Sequence, residues 1–360
     1  MKKHSIITLL FLLSLFLVAC GNGTDNKSKD TINNPVNSDK STQVVSKKEK
    51  VNFVYTADHG GITKMDATTN KTVKSIKIEG SVHNVQISPD GKILGATVVP
   101  EMGEHGEHSG HEEKINGYAL FYDVESDKLL HKVEVGAHPA HIVFTENRKY
   151  ALVTNNEDNN VSVIDLSSYK VVQNISTGKG PHGFRIAANS KTAYIANMGE
   201  DTVSVIDLDS MKEMKQIKVG KTPVTTGITQ DGKTLVTTLN AENSIAIINL
   251  DTDKVDKVSV GEGPAQVYIQ SNGKYAFVAN QGTSENPANS ISKIDLETKK
   301  VVATIKVGNG AHGIVTSDNN KFVYVTNMYD NTVSVIENEG NKVIATMKVG
   351  MEPNGITAIN

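Results

Sequence analysis

Residues 104–113 read EHGEHSGHEE and set His105, His108 and His111 three residues apart among glycine, serine and glutamate. Neutral imidazole is a common ligand for transition metals, and a His-rich tract suits metal binding by composition. A zinc ion needs three or four ligands, with Zn–N of about 2.0–2.1 Å. Gly103, Gly106 and Gly110 leave the backbone free to wrap an ion, while Glu104, Glu107 and Glu112 add negative field and oxygen donors. Six more histidines could join the same chemistry: His59, His83, His138, His141, His182 and His312. Thioether sulfur from Met198 and Met328 beside imidazole would favour copper, Cu(I) above all, over zinc. The alternative is a solvated insert with no ligand role. No nucleophile and base stand at a spacing that supports covalent catalysis. Arg148 and Arg185 are the only arginines, which argues against a site that clamps phosphate or carboxylate.

The N-terminal segment carries a different chemistry. Lys2 and Lys3 precede the apolar run IITLLFLLSLFLVA, which is short for a membrane span and has the length of a secretory signal. The run ends in LVAC, and Cys20 is the single cysteine of the chain. This resembles the lipobox of bacterial lipoproteins. The resemblance implies a signal peptide over 1–19, a lipid such as palmitate on Cys20, and anchoring to the extracytoplasmic face of the cell membrane. Residues 20–50 are rich in Asn, Ser, Asp, Lys and Thr, bury too little apolar surface to order themselves, and read as a flexible tether.

Residues 51–360 are long enough for a large core and contain no cysteine, so no disulfide supports them. Val, Ile and Thr are abundant and Trp is absent, which favours strands. The formal charge of −3 falls by two, to about −5, without Lys2 and Lys3, and argues against a broad nucleic-acid surface. Internal repeats organise the whole segment. YALVTNNEDNNVSVIDL from Tyr150, AYIANMGEDTVSVIDL from Ala193 and FVYVTNMYDNTVSVIEN from Phe322 align, and Asp165, Asp207, Asn249, Asp295 and Glu337 recur in step. The period is about 42 residues, the length of a four-stranded propeller blade. SENP lengthens one interval, and the histidine tract lengthens the one from Asp66 to Asp123. Turn clusters such as SPDG, AANS and TQDG separate strands, and no segment keeps a helical period.

These residues, YVTN at 324–327 among them, resemble the YVTN family of β-propeller repeats, YncE-like proteins included, over nearly all of 51–360. Lactonases of the 6-phosphogluconolactonase type, haem d1 domains and the copper propeller of nitrous-oxide reductase are similar in kind. The resemblance implies an all-β, seven-bladed propeller. Its first strands start near Val82, Pro139, Pro181, Pro223, Pro264 and Ala311, and PNGITAIN at the C-terminus supplies one more. That last strand should complete the blade begun by 51–79 and close the ring. In this geometry His83, His182 and His312 share one column at the start of the innermost strands, with His138 and His141 flanking it. His59 and the insertion at about 100–116 lie in turns on the same face, as do Met198 and Met328. His131 lies elsewhere, on an outer strand.

The leading expectation is therefore a lipid-anchored extracytoplasmic binding protein that holds zinc or copper at its histidine face. An enzyme, lactonase-like or dependent on a metal or a haem-type tetrapyrrole, is the second class, though no residue set favours it. A scaffold for an unidentified protein partner, or for single-stranded nucleic acid, is the third; scarce aromatics and negative charge count against nucleic acid. "PHG" and "AHG" are also frequent forms of this repeat, in which the histidine only hydrogen-bonds a neighbouring blade.

Overall fold

Runs of Val, Ile and Thr closed off by Gly, Asn and Asp turns pair with their neighbours along the chain. The computed structural model describes residues 52–101 and 114–359, and these form an all-β propeller of antiparallel sheets. The first sheet contains β1 (Phe53–Asp66), β2 (Lys71–Ile87), β3 (Ile93–Val99), β4 (Asn116–Asp123) and β5 (Leu129–Ala137). Five four-stranded sheets follow in chain order. They are β6 (Pro139–Phe144), β7 (Tyr150–Asn155), β8 (Asn160–Asp165) and β9 (Lys170–Ser176); β10 (Pro181–Ile186), β11 (Thr192–Asn197), β12 (Thr202–Asp207) and β13 (Lys212–Lys218); β14 (Pro223–Ile228), β15 (Thr234–Leu239), β16 (Ser244–Asn249) and β17 (Lys254–Ser259); β18 (Pro264–Ile269), β19 (Tyr275–Gly282), β20 (Pro287–Asp295) and β21 (Lys300–Lys306); and β22 (Ala311–Thr316), β23 (Phe322–Asn327), β24 (Thr332–Glu337) and β25 (Lys342–Lys348). The last strand, β26 (Ile356–Ile359), returns to the first sheet and pairs with β1 from Phe53↔Ile359 to Thr56↔Ile356.

The sheets number six, where the sequence predicts seven separate blades. The difference arises in the six-stranded sheet. There β1 folds back at His59 and Gly60, so that Ala67 N donates to Asn52 O at 2.9 Å. β2 then runs without a break from its pairing with β1, Gly61↔Lys77 to Asp66↔Lys71, into its pairing with β3, Ser81↔Val99 to Ile87↔Leu94. Gly80 makes the bend between the two pairings at φ +107°, where a side chain would press on the Val99 carbonyl. Two repeats thus share one continuous sheet. Around the axis the innermost strands follow as β2, β6, β10, β14, β18, β22 and β26, each against the next, and β26 touches β2 again.

Burial grades outward within each sheet. In the second sheet β6 is buried throughout and β7 nearly so, whereas β9 exposes most of its residues. The apolar core lies between adjacent sheets: Val143, Leu152 and Val163 pack with Phe184, Ile195 and Ile206 of the next. The recurring Asp explains itself locally. Asp165 Oδ1 accepts from the backbone N–H of Ser167 and Ser168, both at 3.0 Å, and Tyr169 follows at φ +51°. Asp207 and Asp295 build equivalent turns. The side chain fixes the turn from third to fourth strand, so its period marks architecture rather than chemistry.

Candidate metal centre

The innermost strands are not regular. β6, β10 and β22 skip register after their first residues, between Pro139 and Ile142, Pro181 and Phe184, and Ala311 and Ile314, and β2 does so just past its bend, between Val82 and Asn84. A bulge leaves a backbone N–H without a ladder partner. A threonine of the second strand takes it: Asn84 N donates to Thr97 Oγ1 at 3.1 Å, His141 N to Thr154 Oγ1 at 3.0 Å and Gly313 N to Thr326 Oγ1 at 2.7 Å. The same hydroxyls donate onward to the neighbouring inner strand, Thr97 to Ala140 O at 2.6 Å and Thr154 to His182 O at 2.7 Å. Bulge and threonine together fix the rotation of the strand start, and with it the imidazoles that start carries.

Three of those imidazoles meet. His83 of β2, His141 of β6 and His182 of β10 bring one ring nitrogen each to within 4.8 Å of one another. Ring centroids are 5.0 Å apart for His83 and His182, 5.1 Å for His141 and His182, and 5.8 Å for His83 and His141. His182 Nδ1 lies 3.2 Å from Val224 O. A carbonyl only accepts, so Nδ1 carries the proton and Nε2 keeps its lone pair. Among the described residues His83 Nδ1 and both ring nitrogens of His141 have no hydrogen-bond partner. Burial, and then the neighbouring histidines, hold His83 and His141 well below the usual imidazole range, and burial draws His182 down to about 4. All three are therefore neutral near pH 7, the form that binds metal.

The donor set fits a transition ion. A tetrahedral ion with Zn–N of about 2.1 Å holds its nitrogens about 3.4 Å apart, so the rings need to draw together by at most about 1.4 Å. Three neutral imidazoles, with buried, unpartnered nitrogens on His83 and His141, are the donors that such an ion takes, and they leave a fourth position for water or a further ligand.

The other candidates lie around this centre or away from it. His312 of β22 is buried in the same column, and its Nδ1 lies 3.1 Å from Asn354 O. Burial draws it down to about 4. His138 stands at φ +50°, half-exposed, with Nδ1 3.4 Å from Glu157 Oε1 and its ring 6.3 Å from that of His83. His59 is exposed at the β1 hairpin, 4.0 Å from Glu101 Oε1. Met198 is exposed after β11, and Met328 Sδ accepts from Gln281 Nε2 at 3.3 Å. His131 stacks on Tyr169 with ring centroids 3.6 Å apart. His105, His108 and His111, with Glu104, Glu107 and Glu112, lie outside the described residues, as does Cys20. The sequence treats His138 and His141 alike as flanks of the column, and the structure separates them. The threonines that set the strand starts carry only a faint sequence signal, the repeated "Thr-Asn" at the end of the second strand, as in Thr154-Asn155 and Thr326-Asn327.

Among curated proteins none matches the chain. Among solved structures, hydrazine synthase of Kuenenia stuttgartiensis is similar at 20% identity and a TM-score of 0.66, over 80% of this chain and 98% of that one. A protein of unknown function from Desulfotomaculum acetoxidans matches at 15% identity and a TM-score of 0.70, over 86% and 99%. A candidate 6-phosphogluconolactonase from Bacteroides fragilis matches at 14% identity and a TM-score of 0.69, over 88% and 99%. At these identities the likeness is one of fold. The model of the YncE-like β-propeller matches residues 117–274 and 273–360, most of the propeller, and the chain belongs to that family.

Proposed function

We propose that the protein is an extracytoplasmic, lipid-anchored propeller that binds a transition metal, zinc or copper, through His83, His141 and His182. The observation that carries this reading is the meeting of three neutral imidazoles on three inner strands, with buried nitrogens of His83 and His141 that nothing else among the described residues engages. The strand starts are held by backbone and threonine, so little order remains to be gained on binding. His312, His138 and His59 stand farther out as secondary ligands. The tract of His105, His108 and His111 serves as an arm that brings the ion to them, with Glu104, Glu107 and Glu112 adding negative field. In this reading the ring counts seven repeats, two of them merged in the six-stranded sheet, and β26 closes it. Cys20 carries the lipid, residues 20–50 form the tether, and the metal is stored, buffered or passed on rather than used in turnover.

The test is calorimetric titration of the chelator-stripped full chain with ZnCl2 and, under reducing conditions, with Cu(I). We expect one tight site and a loss of roughly tenfold or more in affinity for His83→Ala, His141→Ala or His182→Ala. Unchanged affinity in all three variants would sink the assignment. Replacing His105, His108 and His111 with Ser should slow or weaken loading while leaving the metal-free stability unchanged.

A further inference from the structure

The inner strands carry a second tier of side chains at their other ends. Three residues beyond His182 on β10 stands Arg185, about 10 Å farther along the strand at the usual rise. The corresponding position of β18 holds Tyr268. Together with the turns that follow the inner strands, these residues line a cavity of about 390 Å³ at the mouth opposite the histidines. That volume lies in the range of small-molecule sites.

Arg185 is the unusual member. Its guanidinium lies 5.7 Å from the centre of the Tyr268 ring, and Nη1 donates to Phe184 O at 2.9 Å. No carboxylate among the described residues lies within ion-pair distance of it. Arg148, the other arginine, is exposed and paired with Asp90 at 2.8 Å. Burial draws Arg185 downward, yet a guanidinium remains charged at any physiological pH. The half-buried guanidinium has no carboxylate in direct contact, so its remaining N–H groups are available to an anion that enters the cavity.

We propose that this mouth binds a small organic monocarboxylate, its carboxylate on Arg185 and its body against Tyr268, Val143 and Ile186. The rim narrows the choice of anion. Asp90, Glu146 and Asp318 also line the cavity and repel any anion, a phosphate dianion about twice as strongly as a monocarboxylate. The planar fork of Arg185 suits a carboxylate with two parallel hydrogen bonds. The scarcity of arginine, read from the sequence as evidence against such a clamp, reflects instead a single arginine placed at the axis.

The experiment titrates the full chain with benzoate, its neutral counterpart benzamide, and inorganic phosphate, followed by calorimetry. Benzoate should bind, benzamide at least tenfold more weakly, and phosphate more weakly than benzoate. Arg185→Gln should lose tenfold or more in benzoate affinity, while the His83→Ala/His141→Ala/His182→Ala variant keeps it, which separates this site from the metal centre. A second measurement needs no variant. Phenylglyoxal modifies arginine, and benzoate should protect Arg185 but not Arg148 in a peptide map of the wild-type protein. Absence of benzoate binding, equal binding of benzamide or phosphate, equal affinity in Arg185→Gln, or no selective protection of Arg185 each overturns the proposal.

Discussion

A buried histidine held neutral links this fold to pH. His312 has a folded pKa of about 4, against an unfolded value near 6.5. Between those values the unfolded chain binds a proton that the native state refuses, so stability falls as pH drops from about 6.5 towards 4 and is fully present above. The loss is on the order of 3 kcal/mol for one such group. Asp58 works in the opposite sense. Desolvation raises its carboxyl to about 6, so it destabilises the native state above that pH and relieves the strain as pH falls towards 3.8. Urea unfolding of the chelator-treated protein at pH 6.5 and pH 4.5 should show a net loss at the lower pH, and His312→Asn should reduce it without abolishing it, because His83, His141 and His182 act in the same sense. An unchanged slope in that variant would place the titration elsewhere. At this scale the sequence was a fair guide. The column of His83, His182 and His312 follows from the repeat, because equivalent positions of equivalent strands face alike. That His141 reaches the centre while His138 turns to Glu157 does not follow, because a bulge shifts which residues face the axis and leaves no trace in periodicity.

Strands of six residues gain little from ladder bonds alone, and what aligns them here is the threonine shared between neighbours. Thr154 accepts from His141 N and donates to His182 O, so one hydroxyl sets two of the proposed ligands on two sheets. Thr154→Val keeps the shape and removes both bonds, leaving the buried N–H of His141 unpaired. We expect a loss of about 1–3 kcal/mol in urea unfolding, together with weaker metal binding. Full retention of affinity would show that the strand starts hold without it. Strand order, turn positions and the Asp turns were legible in the sequence, since each rests on local residue chemistry. The merging of two repeats was not, because it depends on Gly80 carrying an outer strand straight into an inner one, and a lone glycine is as readily read as a turn.

For the molecule as a whole, the last strand has the largest leverage. β26 pairs with β1, touches β2, and supplies Thr357 Oγ1 to Ile87 N at 3.2 Å. Deleting 352–360 exposes the edge of β1 and removes an inner strand, and should abolish cooperative unfolding rather than fray one end. A melting temperature equal to that of the full chain would refute this. The proposed anchor belongs to the same scale: Cys20→Ser should move the protein from the membrane fraction to the soluble one, and retention at the wild-type level would count against lipidation. Fold class was plain from the repeat because a period of this length over most of a chain admits few architectures. The second tier of the axis was not, because a single Arg and a single Tyr at matching positions form no motif until the strands are set side by side.

The pairing of β26 with β1 also governs timing. A nascent chain presents β1 first and its inner neighbour last, with the rest of the propeller synthesised in between. Until the final residues emerge, β1 offers an unpaired edge to whatever it meets, and chaperones that cap strand edges would find their substrate there. Ribosome-bound chains with β1 to β25 outside the exit tunnel and β26 still within it should therefore be sensitive to protease, and release of the chain should render it resistant.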